Sequence, residues 1–459
     1  MKTKHSLLFM SALSLSLWLT SCDNKLNIEP VTSIGTSQAL STAADLQALL
    51  AGAYDGISSA YLYGGDLQRD GELLGTVPNT GDVLWTGTFA APQQIYTKNI
   101  LINNSQADLT WTEAYRTINI CNTVLANLNL AATANRPRIE GEAKFIRGSM
   151  YFELVRFFGK AWGDGDANVN LGVPIVTTPT AVLNAGSNIP RNTVAAVYAQ
   201  IIQDLTQAET NLPNDGTNGF FATKSAASAQ LSRVYLQQAD YPNAANAANR
   251  VIGRNTFSLV PLEGVFDLRA FLNGVNTAET IFAVQITDQD GTNDLNTFYG
   301  SSEVGGRGDI EITEAFFNQL EADDYRGALF YQDDIGAIRT YKYYNQYGNI
   351  QVFRLAEMYL TRAEANFRAG TTVGATPLAD INLIRARAEL GAITQAQLTV
   401  AEILRQRRIE LAFEGTLIHD LKRTRSRVGS LNWNDSRLIY PIPLREITTN
   451  PALVQNQGY

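Results

Sequence analysis

The stretch RIEGEAKFIRGSMYFELVRFFG, residues 138–159, decides the fold. Ile139, Ala143, Ile146, Met150, Leu154 and Phe157 recur at steps of four or three residues. That spacing lays one apolar stripe along a helix of about six turns. Gly159 follows the last apolar position and suits a helix C-terminus. A strand would need alternation by two, which this stretch lacks.

The same design recurs on both sides. Upstream, TWTEAYRTINICNTVLANL (110–128) predicts a helix opened by a capping box between Thr110 and Glu113. Downstream, VFRLAEMYLTRAEANFRAG (352–370) predicts a helix with Val352, Leu355, Tyr359, Ala363 and Phe367 on one face and Gly370 as its stop. Thr399 and Glu402 predict another capped start before ILRQRRIELAFEG. AQLSRVYLQQADYPNAANAANRVI (229–252) predicts two helices joined at Asp240-Tyr241-Pro242. Its Leu231, Ser232, Tyr235 and Ala244 match the large and small positions of a tetratricopeptide unit. Strand signals are few and short, as in TIFAVQIT (280–287) and IRTYKYY (338–344). The expected class is therefore mainly α, with helix pairs carrying long polar connections at 56–105, 160–192 and 286–310.

The N-terminus reads as an export signal. Lys2 and Lys4 precede an apolar run from Ser6 to Leu19, too short to span a bilayer. Leu19-Thr20-Ser21-Cys22 resembles a bacterial lipobox, so Cys22 is the expected lipid-attachment residue, with residues 1–21 removed. Cleavage takes the formal charge from −8 to −10, a balance without the basic footprint of nucleic-acid binding. Cys121 is then the sole remaining cysteine, in an apolar helical setting that suits a buried inert thiol. His419 is the sole remaining histidine, which argues against zinc and most histidine-based catalysis. The expected organisation is an N-terminal region 22–225 and a C-terminal region 226–459, packed as one body.

Four blocks together carry a family likeness. EGEAKFIRGSMYFELVRFFGKAW, FRLAEMYLTRAEANFRAG, RRIELAFEGTLIHDLKR and the closing YPIPLREITTNPALVQNQGY, in that order behind a lipobox, resemble the SusD/RagB family of nutrient-binding outer-membrane lipoproteins. The resemblance spans Cys22 to Tyr459. It implies tetratricopeptide-like helix pairs supporting a loop-rich face. It also implies a surface protein partnered with a SusC-like TonB-dependent transporter, binding an oligosaccharide or polysaccharide, or in some branches peptides, without doing chemistry. His419 stands where that family often has an aromatic residue, so a packing role is expected for it.

Sugars are held by flat aromatic faces and by planar polar groups that bond hydroxyls. Three polar stretches offer such sets. One holds Tyr61, Tyr63, Asp66 and Arg69; the second Asn79, Asp82, Trp85 and Phe89; the third Asp294, Asn296, Phe298, Tyr299 and Arg307. Trp85 and Tyr299 lead the candidates, followed by Phe298, Tyr61, Tyr63, Asp66, Asn296 and Arg307, against the ordinary alternative that loop aromatics anchor the loop. No cofactor is implied. DGDANVN (164–170) and DQDGTND (288–294) carry alternating acidic and amide residues as a calcium loop begins, but Val169 and Ile175 replace its glycine and final glutamate. Asx-turns suit both better. There is no nucleophile elbow and no phosphate-cradling glycine motif; a glycosidase carboxylate pair depends on a separation that sequence does not give.

Overall fold

A computed structural model describes residues 40–459 apart from 181–184, 215–218, 267–275, 288 and 290. The expected signal segment, Cys22, and Asp288 and Asp290 lie outside the described residues.

Helices dominate, in the order α1 (Ala43–Ser58), α2 (Asp66–Gly75), α3 (Ala90–Thr97), α4 (Ser105–Ala126) and α5 (Arg136–Phe158). Next come α6 (Val194–Asn211), α7 (Lys224–Gln237), α8 (Tyr241–Gly253) and the short α9 (Asp294–Tyr299). The C-terminal part adds α10 (Leu355–Ala369), α11 (Pro377–Arg387), α12 (Val400–Glu410), α13 (Leu417–Arg423) and α14 (Leu444–Thr449). Successive helices from α4 to α8 pack side by side, and α10 lies against α8, α11 and α12. This is the paired-helix arrangement read from the sequence.

The stripe of α5 is buried along its whole length, but so is most of its circumference. Gly148 explains part of this. A Cβ there would lie 3.1 Å from Leu205 of α6, so its absence permits close approach. Beside it, Arg147 grips Asp204 of α6 through two bonds of 2.7 and 2.8 Å and donates to Asn122 of α4 at 2.8 Å. Cys121 sits in this core, its thiol pushed up to about 12 by burial.

Several element starts differ from expectation. Thr110 lies inside α4, whose cap is Asn104, accepting from the amides of Gln106 and Ala107. Val352 belongs to a strand, not to α10. Strand β2 (Thr280–Val284) pairs antiparallel with β6 (Ile350–Arg354), and α10 starts directly after it. Thr399 does cap α12, accepting from Glu402 N, and Gly370 closes α10 in the left-handed conformation at φ 67°. Between Phe330–Gln332 (β4) and Ile338–Thr340 (β5) the chain forms a hairpin. Val83–Trp85 (β1) pairs with Ile310–Ile312 (β3).

The largest departure is α2. Residues 56–105 were expected to be mostly loop, yet every residue of Asp66–Gly75 is buried, charged ones included. The charges are matched from remote segments. Arg69 lies between Asp66 and Asp70, Tyr440 donates to Asp70 at 2.7 Å, and Arg408 donates to Glu72 at 2.7 Å. Two carboxylates share Arg69, and burial pushes Asp66 up to about 7. At the other end, Lys98 Nζ donates to the carbonyls of Leu73, Thr76 and Tyr96 at 2.6–2.7 Å. A cation there satisfies last-turn carbonyls and opposes the negative pole of the helix. Lys98→Met should destabilise the protein by about 2–4 kcal/mol in urea unfolding, because buried carbonyls lose their donor.

His419 is the packing residue expected. It is buried with its ring edge-on to Phe157 at 5.0 Å. Burial, then the nearby Arg156, Lys422 and Arg233, hold it well below its usual pKa. The folded state therefore stays unprotonated there while the unfolded chain takes a proton below about pH 6.5. Stability from this group is present above that pH and is lost as pH falls. His419→Phe should lose about 1 kcal/mol less than the parent protein between pH 7 and 5.5, read by urea unfolding at both values.

Candidate functional site

Three irregular segments, 76–89, 293–312 and 330–349, are joined into one loop-rich face. The β1–β3 pairing brings the first two together, extended by Thr86 N donating to Asp309 O at 2.8 Å. Asn293 N donates to Gln346 O at 2.8 Å and Asn296 Nδ2 to Tyr343 O at 2.8 Å, which tie the second to the third. Arg339 of β5 donates to the carbonyls of Gly308 and Ile310 at 2.8 and 2.7 Å. Gly308 has φ 64° and lies against that guanidinium, so a side chain there would be excluded twice over. The loops are thus fixed by backbone bonds, the usual requirement for a preorganised binding surface.

The structure turns most of the expected ligand-contact residues inward. Tyr299 is fully buried between Tyr343 and Phe413, at ring distances of 5.3 and 5.8 Å. Trp85 packs on Phe298, both buried, and Arg69 covers Phe298 at 4.4 Å. Tyr63 is buried and donates to Glu153 at 2.9 Å. Asp66 belongs to the ion cluster of α2, and Asn296 Nδ2 serves the carbonyls of Val304 and Tyr343. Tyr61 is half-buried. The physical reason is common to these side chains: short polar segments around an aromatic let the chain turn and drive that aromatic into the body.

Arg307 differs. It is exposed, donates to Asp309 at 2.9 Å and stacks over Phe89, itself 47% exposed, at 4.4 Å. Asp82 accepts from Arg408 and from Gln319, both at 2.8 Å, on the floor of a 320 Å³ cleft. Leu404, Leu417 and Leu421 form its apolar side, and Thr424, Ser426 and Arg427 also line it.

A partly exposed tyrosine grouping lies outside the expected residues. Tyr331, Tyr341 and Tyr344, all half-buried, form a triangle with ring separations of 4.7, 5.3 and 5.4 Å. The Tyr331 hydroxyl accepts from Ser301 N at 3.2 Å, which locks the triangle to the 293–312 segment. Tyr347, 40% exposed, follows three residues later. Tyr341 and Tyr344 lie in IRTYKYY (338–344), which reads as a short strand signal. Only Ile338–Thr340 is strand; a 3-10 turn at Tyr341–Tyr343 then places Tyr341 and Tyr344 on one side.

Among the described residues no group of three His, Cys, Asp or Glu side chains is placed to hold a metal ion. In the 164–170 stretch Asp166 accepts from Asn168 N at 2.9 Å, an Asx-turn, and Asp164 accepts from Asn434.

Comparison with known proteins now bears on this architecture. Residues 33–236 match the family described as starch-binding, associating with the outer membrane, and residues 337–438 match the SusD family. The chain belongs to the SusD family. A SusD-like protein of Formosa agariphila is 25% identical over 97% of this chain and 98% of its own. The starch-binding protein SusD of Bacteroides thetaiotaomicron is 36% identical over 24% of this chain and 22% of its own. A solved SusD superfamily protein from the same organism superposes with TM-score 0.79 and 26% identity, covering 91% of this chain and all (100%) of that one. In this SusD-family chain no described helix is long and apolar enough to cross a membrane.

Tyr299 separates packing from ligand contact. Its buried hydroxyl has no hydrogen-bond partner among the described residues. Tyr299→Phe should leave both thermal stability and ligand affinity unchanged or slightly improved. Tyr299→Ala should cost about 3–5 kcal/mol in urea unfolding.

Proposed function

We propose that this protein is a cell-surface lipoprotein that captures an oligosaccharide or polysaccharide on the 293–349 face. It then delivers the glycan to a SusC-like TonB-dependent transporter in the outer membrane. Binding is reversible and involves no chemistry. The observation that carries this reading is the tyrosine triangle on a backbone-locked loop platform, in a chain of the SusD family. Sugar rings pack their C–H faces on such rings, and nearby Ser, Asn and Arg groups bond hydroxyls.

The lipid anchor at Cys22 fits the same picture. The described chain starts near the end of α4: Arg138 bonds Gln47 in the first half of α1, and α1 packs on Leu128–Leu130. The start of α4 lies instead beside α3, which directly follows Phe89. A 22-residue α4 is about 33 Å long, so the start of the described chain and the loop face are separated by roughly that length.

The test is calorimetry against neutral glycans (soluble starch, laminarin, mannan and arabinoxylan) with a tryptic peptide mixture in parallel. Tyr341→Ala and Tyr344→Ala should each weaken glycan binding about threefold to tenfold. Binding of peptides and of no glycan would overturn the glycan reading. Pull-down of the lipoprotein from detergent-solubilised outer membrane should bring down a large barrel protein; its absence would overturn the delivery role.

A further inference from the structure

A second surface feature lies outside the tyrosine face. Phe221 is 54% exposed, an uncommon position for a phenyl ring in a well-packed body. It is held there by design of the local chain. Ala283 N of β2 donates to Gly219 O at 2.9 Å, and Ala222 N donates to the Tyr54 hydroxyl at 3.0 Å. Tyr54 meets Phe221 edge-to-face at 5.4 Å, which supports one side of the ring and leaves the other to solvent. The ring borders a pocket of 270 Å³ with Phe282 on its wall and Asp55, Ser58, Gln285 and Thr287 among its polar lining.

The chemistry of that lining narrows the occupant. Among the described residues, the carboxylate of Asp55, the amide of Gln285 and the hydroxyls of Tyr54, Ser58 and Thr287 line the pocket beside an exposed aromatic ring, with no lysine or arginine. Phosphate, sulfate and uronate groups would meet Asp55 with no compensating cation among the described lining residues. A neutral sugar unit meets every requirement: its C–H face on Phe221, its hydroxyls on Asp55 and Gln285. At 270 Å³ the pocket is just below the usual floor of about 300 Å³ for small-molecule sites, so it takes one unit of a chain. Its position suits an extension of the main face. Ile286, next to Gln285, donates its amide to Asn349 at 3.0 Å, in the segment that carries Tyr344 and Tyr347.

We propose that the Tyr54–Phe221 pocket is a second sugar-contact site, engaging a unit of a neutral polysaccharide whose other units lie on the tyrosine face. This rests on the glycan reading above, and its consequence is a preference for long chains.

The experiment compares each polysaccharide of the panel bound by the parent protein with its own short oligosaccharides, by calorimetry. Phe221→Ala and Gln285→Ala should each weaken polysaccharide binding about threefold to tenfold and leave short-oligosaccharide affinity within twofold. Phe221→Tyr should restore polysaccharide affinity, and an unchanged melting temperature of the alanine variants shows that the fold is intact. Polysaccharide affinity unaltered in Phe221→Ala overturns the pocket while leaving the glycan function standing. Equal losses for short and long ligands also overturn it. Failure of the parent protein to bind any glycan of the panel overturns both.

Discussion

Burying the charges of α2 is the constraint on which the rest depends. A helix with Asp66, Arg69, Asp70 and Glu72 all out of water is stable only while each charge has a partner in place. Glu72 and Asp70 also take partners from Arg408 and Tyr440, more than three hundred residues along the chain, so α2 cannot be fully buried until the C-terminal part has folded around it. Arg69 then covers Phe298, and Phe298 supports Trp85. The back of the loop face is thus built on a charge cluster rather than on an apolar sheet.

A second buried cluster works the same way. Arg354, at the β6–α10 junction, is buried and bonds Glu279, Glu410 and Glu414, while Lys342 bonds Glu414 and the carbonyls of Glu410 and Ala412. Lys342 lies between Tyr341 and Tyr344, so the tyrosine triangle is held by a side chain pointing into the core. Rigid loops of this kind lose little conformational freedom on binding, which leaves more of the contact energy for affinity.

How far the molecule could be read from its residues follows from which signals are local. Long apolar stripes such as that of α5 are local, and so are Gly370 and Thr399 at helix ends; these parts of the fold were legible. The α2 helix was not, because its burial is paid for by residues remote in sequence and its own composition is that of a loop. Val352 reads as helical because a strand feeding directly into a helix keeps the apolar run unbroken. The candidate site was the least legible. Trp85 and Tyr299 sit in polar neighbourhoods along the chain yet in apolar ones in space. Of the tyrosines that share a surface, Tyr341 and Tyr344 sit in a run that reads as strand, and Tyr331 lies outside it.

The paired burial around α2 also bears on how such a protein changes over generations. Replacing Arg408 alone strands Glu72, and replacing Tyr440 alone deprives Asp70 of a donor, so single steps at these positions pass through a damaged intermediate. Positions such as Phe221 or Tyr347, with a face in solvent, carry no such penalty. The scaffold is therefore resistant to drift while its outer surface is free to vary. Surface positions can change without disturbing the charged centre.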